Sequence, residues 1–299
     1  MINRIAIIDL GSNSVRCGIY EKTDGKISQI DSIRHTVRLS EGLIKDNLLK
    51  KPAMERTLQA FLNMKTFLDM KYEGIKIVAV ATEAMRRAKN SDVFRNAVLN
   101  TTGIEIEILD GETETKFGLF GAKLSAKCDD FYMLDTGGGS FELALCEKGK
   151  LKSHTCLPYG AVVLTETFHP DEKGTDELDK FMDGVFDNLP WVEKNGFPIV
   201  LLGGSNRVLG KLYKGTNSEE RQDGLKIPAK AVNEIIEKLA SLTPKQREEL
   251  AGMEKNRVDI ITSGVAPLKC LMERSGANEL IVSTNSLREG IAFEYLKGM

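Results

Sequence analysis

Three glycine-rich turns follow apolar segments of the sequence, and each of the first two begins two residues after an aspartate. They are Gly11-Ser12-Asn13-Ser14, Gly137-Gly138-Gly139-Ser140 and Gly203-Gly204-Ser205. Glycines let backbone N–H groups converge on a tetrahedral anion without obstruction by side chains. A single turn of this kind would be explained as a tight connection, but three in this arrangement predict phosphate binding.

Three carboxylates accompany the turns. Asp9 and Asp135 end apolar segments, and Glu142 follows Asp135 across the second turn. Carboxylates facing bound phosphate would repel it unless a cation intervenes, and Mg²⁺ binds to one or two carboxylates together with phosphate oxygens and water. We therefore expect Mg²⁺, or Mn²⁺, at Asp135, Glu142 and Asp9. The alternatives are that Asp9 caps its turn and that Glu142 lies on a solvated strand face.

Arg86 is the candidate cation for the rest of an anionic substrate, because a guanidinium can contact phosphate through two parallel hydrogen bonds. It lies just after a predicted strand, and Arg16 and Arg207 each follow a glycine turn. Lone arginines are most often surface residues, so these assignments depend on the turns. Neither the Walker A pattern nor the Rossmann glycine fingerprint is present, and the turns therefore belong to another architecture.

The elements that position these residues occur twice. The first copy runs from the apolar segment 4–9 through a glycine turn and the segment 15–20 to a hairpin turn around Gly25. The second copy, 126 residues later, aligns Asp135 with Asp9 and has its own hairpin turn around Gly149. Two copies of one such unit indicate a duplicated domain with a cleft between the halves.

Other segments show weaker local signals. Ser91 is predicted as the N-cap of a helix, 104–109 as a half-buried strand, and 214–230 as a surface loop or insertion. The segments that begin at Thr243 and at Ser286 have the pattern of a capping box, and the second is expected to open the last helix.

Composition narrows the class of protein. The 299 residues suggest about two domains, and the formal charge of −2 argues against nucleic acid as the main ligand. The apolar runs are too short for a membrane span or a signal-peptide core. Five cysteines without a Cys-x-x-Cys pair fit neither a disulfide framework nor a zinc site. We expect a cytoplasmic protein with no membrane or nucleic-acid partner.

At this point a resemblance becomes specific. The chain resembles the Ppx/GppA phosphatases, a family of exopolyphosphatases and guanosine pentaphosphate phosphohydrolases. The resemblance covers essentially the whole chain, in its short two-domain form. The matching segments are Ala6–Ser14, Val37–Leu39, Ala81–Arg86, Asp110–Glu114, Leu134–Leu143 and Leu287–Gly290.

The resemblance implies an α/β fold of the actin-like ATPase (sugar kinase/Hsp70/actin) type, with two ribonuclease-H-like domains. The first would comprise residues 1–115 and be completed by the last helix, at about 286–299. The second would comprise residues 116–285.

The resemblance also implies roles for individual residues. Glu114 would be the catalytic base that activates water, supported by Arg86 and by Asp9 as an auxiliary carboxylate. Asp135 and Glu142 would be associated with the metal. The glycine turns, with Arg86, would hold phosphate: Gly11, Ser12, Asn13, Ser14, Gly137, Gly138, Gly139, Ser140, Gly203, Gly204 and Ser205. The resemblance also implies a homodimer, because members of the family form dimers.

Three residues depart from the family pattern. Thr113 stands where many members have a second glutamate, Glu83 adds negative charge before Arg86, and Phe141 replaces the usual threonine. Without the helical domains that longer members append, we expect short polyphosphates or a nucleotide-linked triphosphate as substrate.

Together with the residues described above, the resemblance implies a metal-dependent hydrolase that releases terminal orthophosphate from polyphosphate or guanosine pentaphosphate. Two alternatives stay open. One is a polyphosphate or guanosine-polyphosphate sensor that does not hydrolyse its ligand, and the other is a kinase or ATPase of the same fold.

Overall fold

The computed structural model describes residues 3–216 and 222–297. The strands, in chain order, are β1 (Arg4–Leu10), β2 (Ser14–Thr23), β3 (Lys26–Thr36), β4 (Lys76–Ala81), β5 (Ile106–Ile108), β6 (Phe131–Thr136), β7 (Phe141–Glu147), β8 (Lys150–Leu157), β9 (Ile199–Leu202), β10 (Leu225–Pro228) and β11 (Glu279–Val282). The helices are α1 (Lys51–Lys71), α2 (Glu83–Arg87), α3 (Ser91–Thr102), α4 (Gly111–Ala126), α5 (Ala161–Phe168), α6 (Pro170–Lys173), α7 (Asp176–Asp187), α8 (Gly204–Lys214), α9 (Ala229–Ser241), α10 (Pro244–Glu248), α11 (Ile261–Ser275) and α12 (Leu287–Lys297).

The chain forms two compact units. The first unit consists of Met1–Phe117 and Leu287–Met299, and the second of Gly118–Ser286. One boundary falls inside α4, and the other falls just before α12.

The sheet of the first unit has five strands in the order β3-β2-β1-β4-β5. The pairs β1–β2 and β2–β3 are antiparallel, whereas β1–β4 and β4–β5 are parallel. The hairpin between β2 and β3 is closed by Asp24 and Gly25, both with positive φ. This backbone conformation matches the twist of the strands in a two-residue hairpin loop.

The sheet of the second unit repeats this arrangement and adds one strand. Its order is β10-β11-β9-β6-β7-β8. The antiparallel β6–β7–β8 meander corresponds to β1–β2–β3, and the parallel pairs β6–β9 and β9–β11 correspond to β1–β4 and β4–β5. Lys148 and Gly149 close its hairpin, again with positive φ at both residues. The duplication predicted from the sequence is confirmed by this topology.

The core of the first unit lies on both faces of β1, whose apolar run is buried on each side, as in the interior of a parallel sheet. Ile8 and Leu10 pack with Phe61 of α1 and Phe94 of α3. Ile7 faces the other way, and this side is covered by α12 through Leu287, Ile291, Ala292 and Leu296.

The core of the second unit is also two-sided. Tyr132 and Leu134 of β6 pack in a large cluster with α5, α7, α8, α9 and α11. Met133 lies on the opposite face, where Leu119 and Ala122 of α4 cover it. Residues 131–135 therefore alternate between two buried faces, which places Asp135 on the face of Met133.

Three local predictions need correction. The loop predicted at 214–230 contains residues 217–221, which lie outside the described residues, and its described end includes β10, which pairs with β11. Strand β5 occupies only Ile106–Ile108. Ser91 is the first residue of α3, and Asn90 takes the N-cap position. The capping box at Thr243 and Gln246 is confirmed.

None of the described helices combines the length and apolar character of a membrane span.

Candidate active site

The first glycine turn joins β1 to β2 and is held by its own backbone. The Gly11 N–H donates to the Ser14 carbonyl oxygen at 3.1 Å, and the carbonyl of Asn13 accepts from the N–H groups of Val37 and Arg38 at 3.0 Å each. Arg38 has a φ of 46°, an uncommon conformation for a residue with a side chain. The segment after β3 thus fixes the position of the turn.

Asn13 is the unusual residue of this turn. Its side chain is 6% exposed, and neither its amide oxygen nor its amide nitrogen has a hydrogen-bond partner among residues 3–216 and 222–297. A buried amide that lacks partners is costly, because it loses its hydrogen bonds to water. An oxygen-rich ligand bound at the turn would accept a hydrogen bond from the amide nitrogen of Asn13.

Asp9 lies at the end of β1, opposite Arg16 of β2. It shares the face of β1 that α12 covers, where Arg288 is 8% exposed. Burial lowers the pKa of Arg288, but nearby Tyr20, Glu289 and Asp9 outweigh that effect and raise it. Arg288 is therefore a charged partner for the acidic groups of this face, in the first turn of α12.

Arg86 and Glu114 form an ion pair within the first unit. The Nη1 atom of Arg86 donates to Oε2 of Glu114 at 2.6 Å and to the Leu109 carbonyl oxygen at 2.8 Å. The other side of the guanidinium donates to Oε2 of Glu83, from Nη2 at 3.0 Å and from Nε at 3.2 Å. The three side chains are only 11–18% exposed. The Glu83 carboxylate is thus balanced by Arg86.

The backbone around Glu114 is equally well defined. Glu114 lies in the first turn of α4, and the Thr113 N–H donates to Oδ1 of Asp110 at 2.7 Å. The hydrogen bonds from the backbone and side chain of Thr113 lower the pKa of Asp110. Thr113, one of the departures from the family pattern, therefore belongs to the N-terminal cap.

The second glycine turn repeats the geometry of the first. Gly137 N–H donates to the Ser140 carbonyl oxygen at 3.0 Å, as Gly11 does to Ser14. Gly160 packs directly on this turn, because a Cβ there would lie 2.5 Å from the Gly138 carbonyl carbon and the Ser140 nitrogen. Because the N–H groups of Gly11 and Gly137 donate to carbonyl oxygens within their own turns, these two N–H groups cannot bind an anion.

Asp135 and Glu142 are register partners on β6 and β7, so their side chains emerge on the same face of the sheet. The Ser140 hydroxyl donates to Oε1 of Glu142 at 2.6 Å, and Glu142 is 3% exposed. Phe141 points to the opposite face and stacks on Phe186, with ring centroids 6.2 Å apart. Asp135 and Glu142 thus bring two carboxylates to one face of the sheet, and carboxylate oxygens are the ligand type that Mg²⁺ or Mn²⁺ prefers.

The third turn lies beside Asp135. Gly203 has a φ of 83°, and a Cβ there would overlap Oδ1 of Asp135. The guanidinium of Arg257 packs on Gly204 in the same way, and the Ser205 hydroxyl oxygen is buried without a partner among the described residues. Glycine is required at these two positions for close approach of charged side chains.

Sequence reasoning missed three residues of these clusters. Arg257 precedes α11 and contacts Gly204, and Arg288 interacts electrostatically with Asp9. Cys156 is the register partner of Glu142 on β8 and donates to its Oε1 at 3.2 Å. The hairpin pattern could have predicted that Cys156 lies close to Glu142, whereas no sequence pattern predicts a role for Arg257. Arg288 was noted only as part of the segment Leu287–Gly290 that matches the family.

Comparisons with known proteins agree with this architecture. A model of the Ppx/GppA phosphatase family matches residues 18–298. The guanosine-5'-triphosphate,3'-diphosphate pyrophosphatase of Vibrio vulnificus is 28% identical over 300 residues, which cover 97% of this chain and 59% of that protein. Exopolyphosphatase 2 of Mycobacterium tuberculosis is 27% identical over 315 residues, covering 97% and 98% of the two chains. The chain spans 46–59% of the length of the first curated relatives it matches.

A solved structure extends the similarity to three dimensions. The crystal structure of the Aquifex aeolicus Ppx/GppA family member superimposes with a TM-score of 0.81 at 29% identity, covering 99% of this chain and 98% of that one. The predicted α/β fold of the actin-like type is thereby confirmed. The chain belongs to the Ppx/GppA phosphatase family.

Proposed function

We propose that the protein is a phosphoanhydride hydrolase that releases terminal orthophosphate from inorganic polyphosphate or from guanosine pentaphosphate. The observation that carries the proposal is the Arg86–Glu114 ion pair, in which a nearly buried glutamate is held at a helix N-terminus at 2.6 Å from the guanidinium. Relatives named for activity on these two substrates support the choice of substrate class.

Glu114 acts as the general base in this proposal. Its carboxylate takes a proton from a water molecule while the water oxygen attacks the terminal phosphorus. The bond from this phosphorus to the bridging oxygen breaks, one orthophosphate leaves, and the chain is shortened by one unit. Arg86 holds Glu114 in place through Nη1, and its charge also favours bound phosphate.

The glycine turns are proposed to bind the phosphate groups. In the first turn these residues are Gly11, Ser12, Asn13 and Ser14, and the orphaned amide of Asn13 supports the assignment. In the second unit they are Gly137, Gly138, Gly139, Ser140, Gly203, Gly204 and Ser205, and the buried Ser205 hydroxyl supports it. Because the N–H groups of Gly11 and Gly137 are used within the turns, other N–H groups of the turns must contact phosphate.

Asp135 and Glu142 are proposed to hold Mg²⁺ or Mn²⁺, and their common face supports this assignment. When bound, the cation neutralises the negative charge of the phosphate oxygens. Asp9 keeps its proposed role as a supporting carboxylate in the first unit, where Arg288 balances its charge.

We further propose that the protein works in the cytoplasm as a homodimer, without nucleic-acid or membrane partners. The absence of paired cysteine motifs and the charge of −2 support the compartment and the lack of a nucleic-acid ligand. The homodimer is carried over from the family resemblance. Size-exclusion chromatography with light scattering tests it, and a monomeric mass would contradict it.

Orthophosphate release by the purified protein tests the proposed activity. The substrates are short polyphosphate, long polyphosphate, guanosine pentaphosphate and ATP, each with and without Mg²⁺, and binding is measured in parallel. We expect Mg²⁺-dependent release from polyphosphate or guanosine pentaphosphate that exceeds release from ATP. Binding without release from any substrate would contradict the hydrolase and favour a sensor.

A further inference from the structure

Cys156 differs from the other four cysteines in its surroundings. Cys17, Cys146 and Cys270 are buried, and Cys128 is exposed. Cys156 is partly exposed, and its thiol donates to Oε1 of Glu142 at 3.2 Å. The same oxygen accepts the hydrogen bond from Ser140. A thiol therefore touches one of the two carboxylates that suit a divalent cation.

The sheet places this contact on a defined face. Asp135 pairs with Glu142, and Glu142 pairs with Cys156, so the three residues form one row across β6, β7 and β8. Directly opposed residues in antiparallel strands project to the same side, with Cβ atoms about 4.5–5.5 Å apart. Glu142 lies in the middle of the row, and Cys156 is the only sulfur in it. The row combines two hard oxygen donors with one soft donor.

We propose that Cys156 determines the cation selectivity of the metal site at Glu142, by adding a sulfur ligand for thiophilic divalent cations such as Cd²⁺ and Zn²⁺. The inference rests on the proposed metal-dependent function and extends it. With Mg²⁺, which prefers oxygen ligands, Cys156 stays a hydrogen-bond donor that orients Glu142. With Cd²⁺ or Zn²⁺, the S–H bond breaks, the proton passes to water and a sulfur–metal bond forms without any change of oxidation state.

Two consequences follow for binding. Thiophilic cations should compete with Mg²⁺, because both need Glu142. Their affinity should depend on the sulfur of Cys156, whereas the affinity for Mg²⁺ should not, because serine at this position keeps a hydrogen-bond donor toward Glu142. A loss of affinity for thiophilic cations without a loss of affinity for Mg²⁺ would distinguish a metal ligand from a residue that only supports the fold.

The test is a Cd²⁺ titration followed by the ultraviolet sulfur-to-cadmium charge-transfer band. It is done in a Cys128→Ser background, which removes the exposed thiol, and the matched variant carries Cys156→Ser in addition. We expect a saturable band in the background protein that excess Mg²⁺ suppresses. In the matched variant we expect the band to disappear and Cd²⁺ affinity to fall at least about tenfold. Calorimetry should show Mg²⁺ affinity unchanged within about threefold, because oxygen ligands dominate its binding.

Controls keep the result interpretable. Thermal unfolding and circular dichroism verify that Cys156→Ser is folded, and Cys156→Ala repeats the test without any donor. An equal band in both proteins, or a band that excess Mg²⁺ leaves unchanged, would overturn the proposal. Because the readout is binding, absence of the band in the Cys128→Ser background protein beside normal orthophosphate release would refute only this inference. A normal band without any hydrolysis would refute only the proposed function.

Discussion

Arg86 and Glu114 are 28 residues apart in the sequence, yet Nη1 of the arginine lies 2.6 Å from Oε2 of the glutamate. The same nitrogen also donates to the Leu109 carbonyl oxygen at 2.8 Å. A planar guanidinium held at two points fixes the direction of the carboxylate more strongly than a flexible ammonium could. The proposed base is therefore oriented by the protein before any substrate arrives.

Replacing Arg86 with lysine should test this orientation. Lysine keeps the positive charge but lacks the planar fork that reaches Glu83 on one side and Glu114 with the Leu109 carbonyl on the other. We expect Arg86→Lys to lower the rate constant of orthophosphate release by about 100-fold or more, since misplaced catalytic groups are costly. Steady-state kinetics at saturating substrate measure the effect.

Glu83→Gln serves as the matched control for Arg86→Lys. It removes a charge from the opposite side of the guanidinium while leaving the Glu114 contact in place. We expect less than about a tenfold change in rate, because a neutral acceptor still receives the hydrogen bonds. Equal losses in the two variants would argue that the local charge balance matters and that the direction of Glu114 does not.

The tight approach of Gly203 to Asp135 makes a second prediction. Alanine at position 203 would adopt an unfavourable positive φ, and its Cβ would overlap the carboxylate oxygen of Asp135. We expect Gly203→Ala to lower the free energy of unfolding by about 1–3 kcal/mol and to weaken Mg²⁺ binding. Thermal unfolding and calorimetric titration measure the two effects.

Gly184 provides the control for Gly203. It lies inside α7, its φ is not positive, and a Cβ there would have no atom within 4 Å. Gly184→Ala should stabilise the protein by about 0.4–1 kcal/mol, because alanine loses less backbone entropy on folding. Similar destabilisation of both variants would contradict the steric explanation for Gly203.

Cys270 should make stability depend on pH in the alkaline range. Burial, followed by the charge of Asp183, raises the pKa of its thiol from 9.0 to about 12. The unfolded thiol therefore loses its proton near pH 9 while the folded one retains it, so stability is full below pH 9 and falls as pH rises toward 12. The slope for one such thiol is at most about 1.4 kcal/mol per pH unit.

Cys270→Ala isolates this contribution. Unfolding by denaturant is measured for both proteins at several pH values between 8 and about 11. We expect the wild-type protein to lose stability more steeply than the variant above pH 9, although the variant starts lower because it has lost buried atoms. Parallel curves would show that Cys270 does not titrate differently in the folded and unfolded states.

Much of the architecture was visible in the sequence because it is repeated. The aligned pairs Asp9 with Asp135 and Ser14 with Ser140 predicted two copies of one meander, and both turns have the same Gly-to-Ser hydrogen bond. A helix start was also predictable where one side chain caps it, as in the capping box of Thr243. Strand β10 was missed because it has only four residues, follows a polar stretch and ends at Pro228, all of which are signals of a loop.

The composition of the site was less predictable because register cannot be counted reliably across a hairpin. Glu147 pairs with Lys150, and counting back along both strands would place Thr155 opposite Glu142. A bulge between Leu145 and Cys146 shifts the register by one residue, so Cys156 takes that place. Contacts such as that of Arg257 with Gly204 depend on packing between distant segments, which leaves no local pattern.

Glu114 is proposed to activate water for attack on a terminal phosphate. The most direct measurement compares wild-type protein with Glu114→Gln during polyphosphate hydrolysis in isotopically labelled water. We expect one labelled oxygen in each orthophosphate released by the wild type. In the variant, release should fall by about 100- to 10,000-fold, the usual contribution of a general base, while polyphosphate binding persists. Equal release by the two proteins, or binding without release by the wild type, would contradict the account.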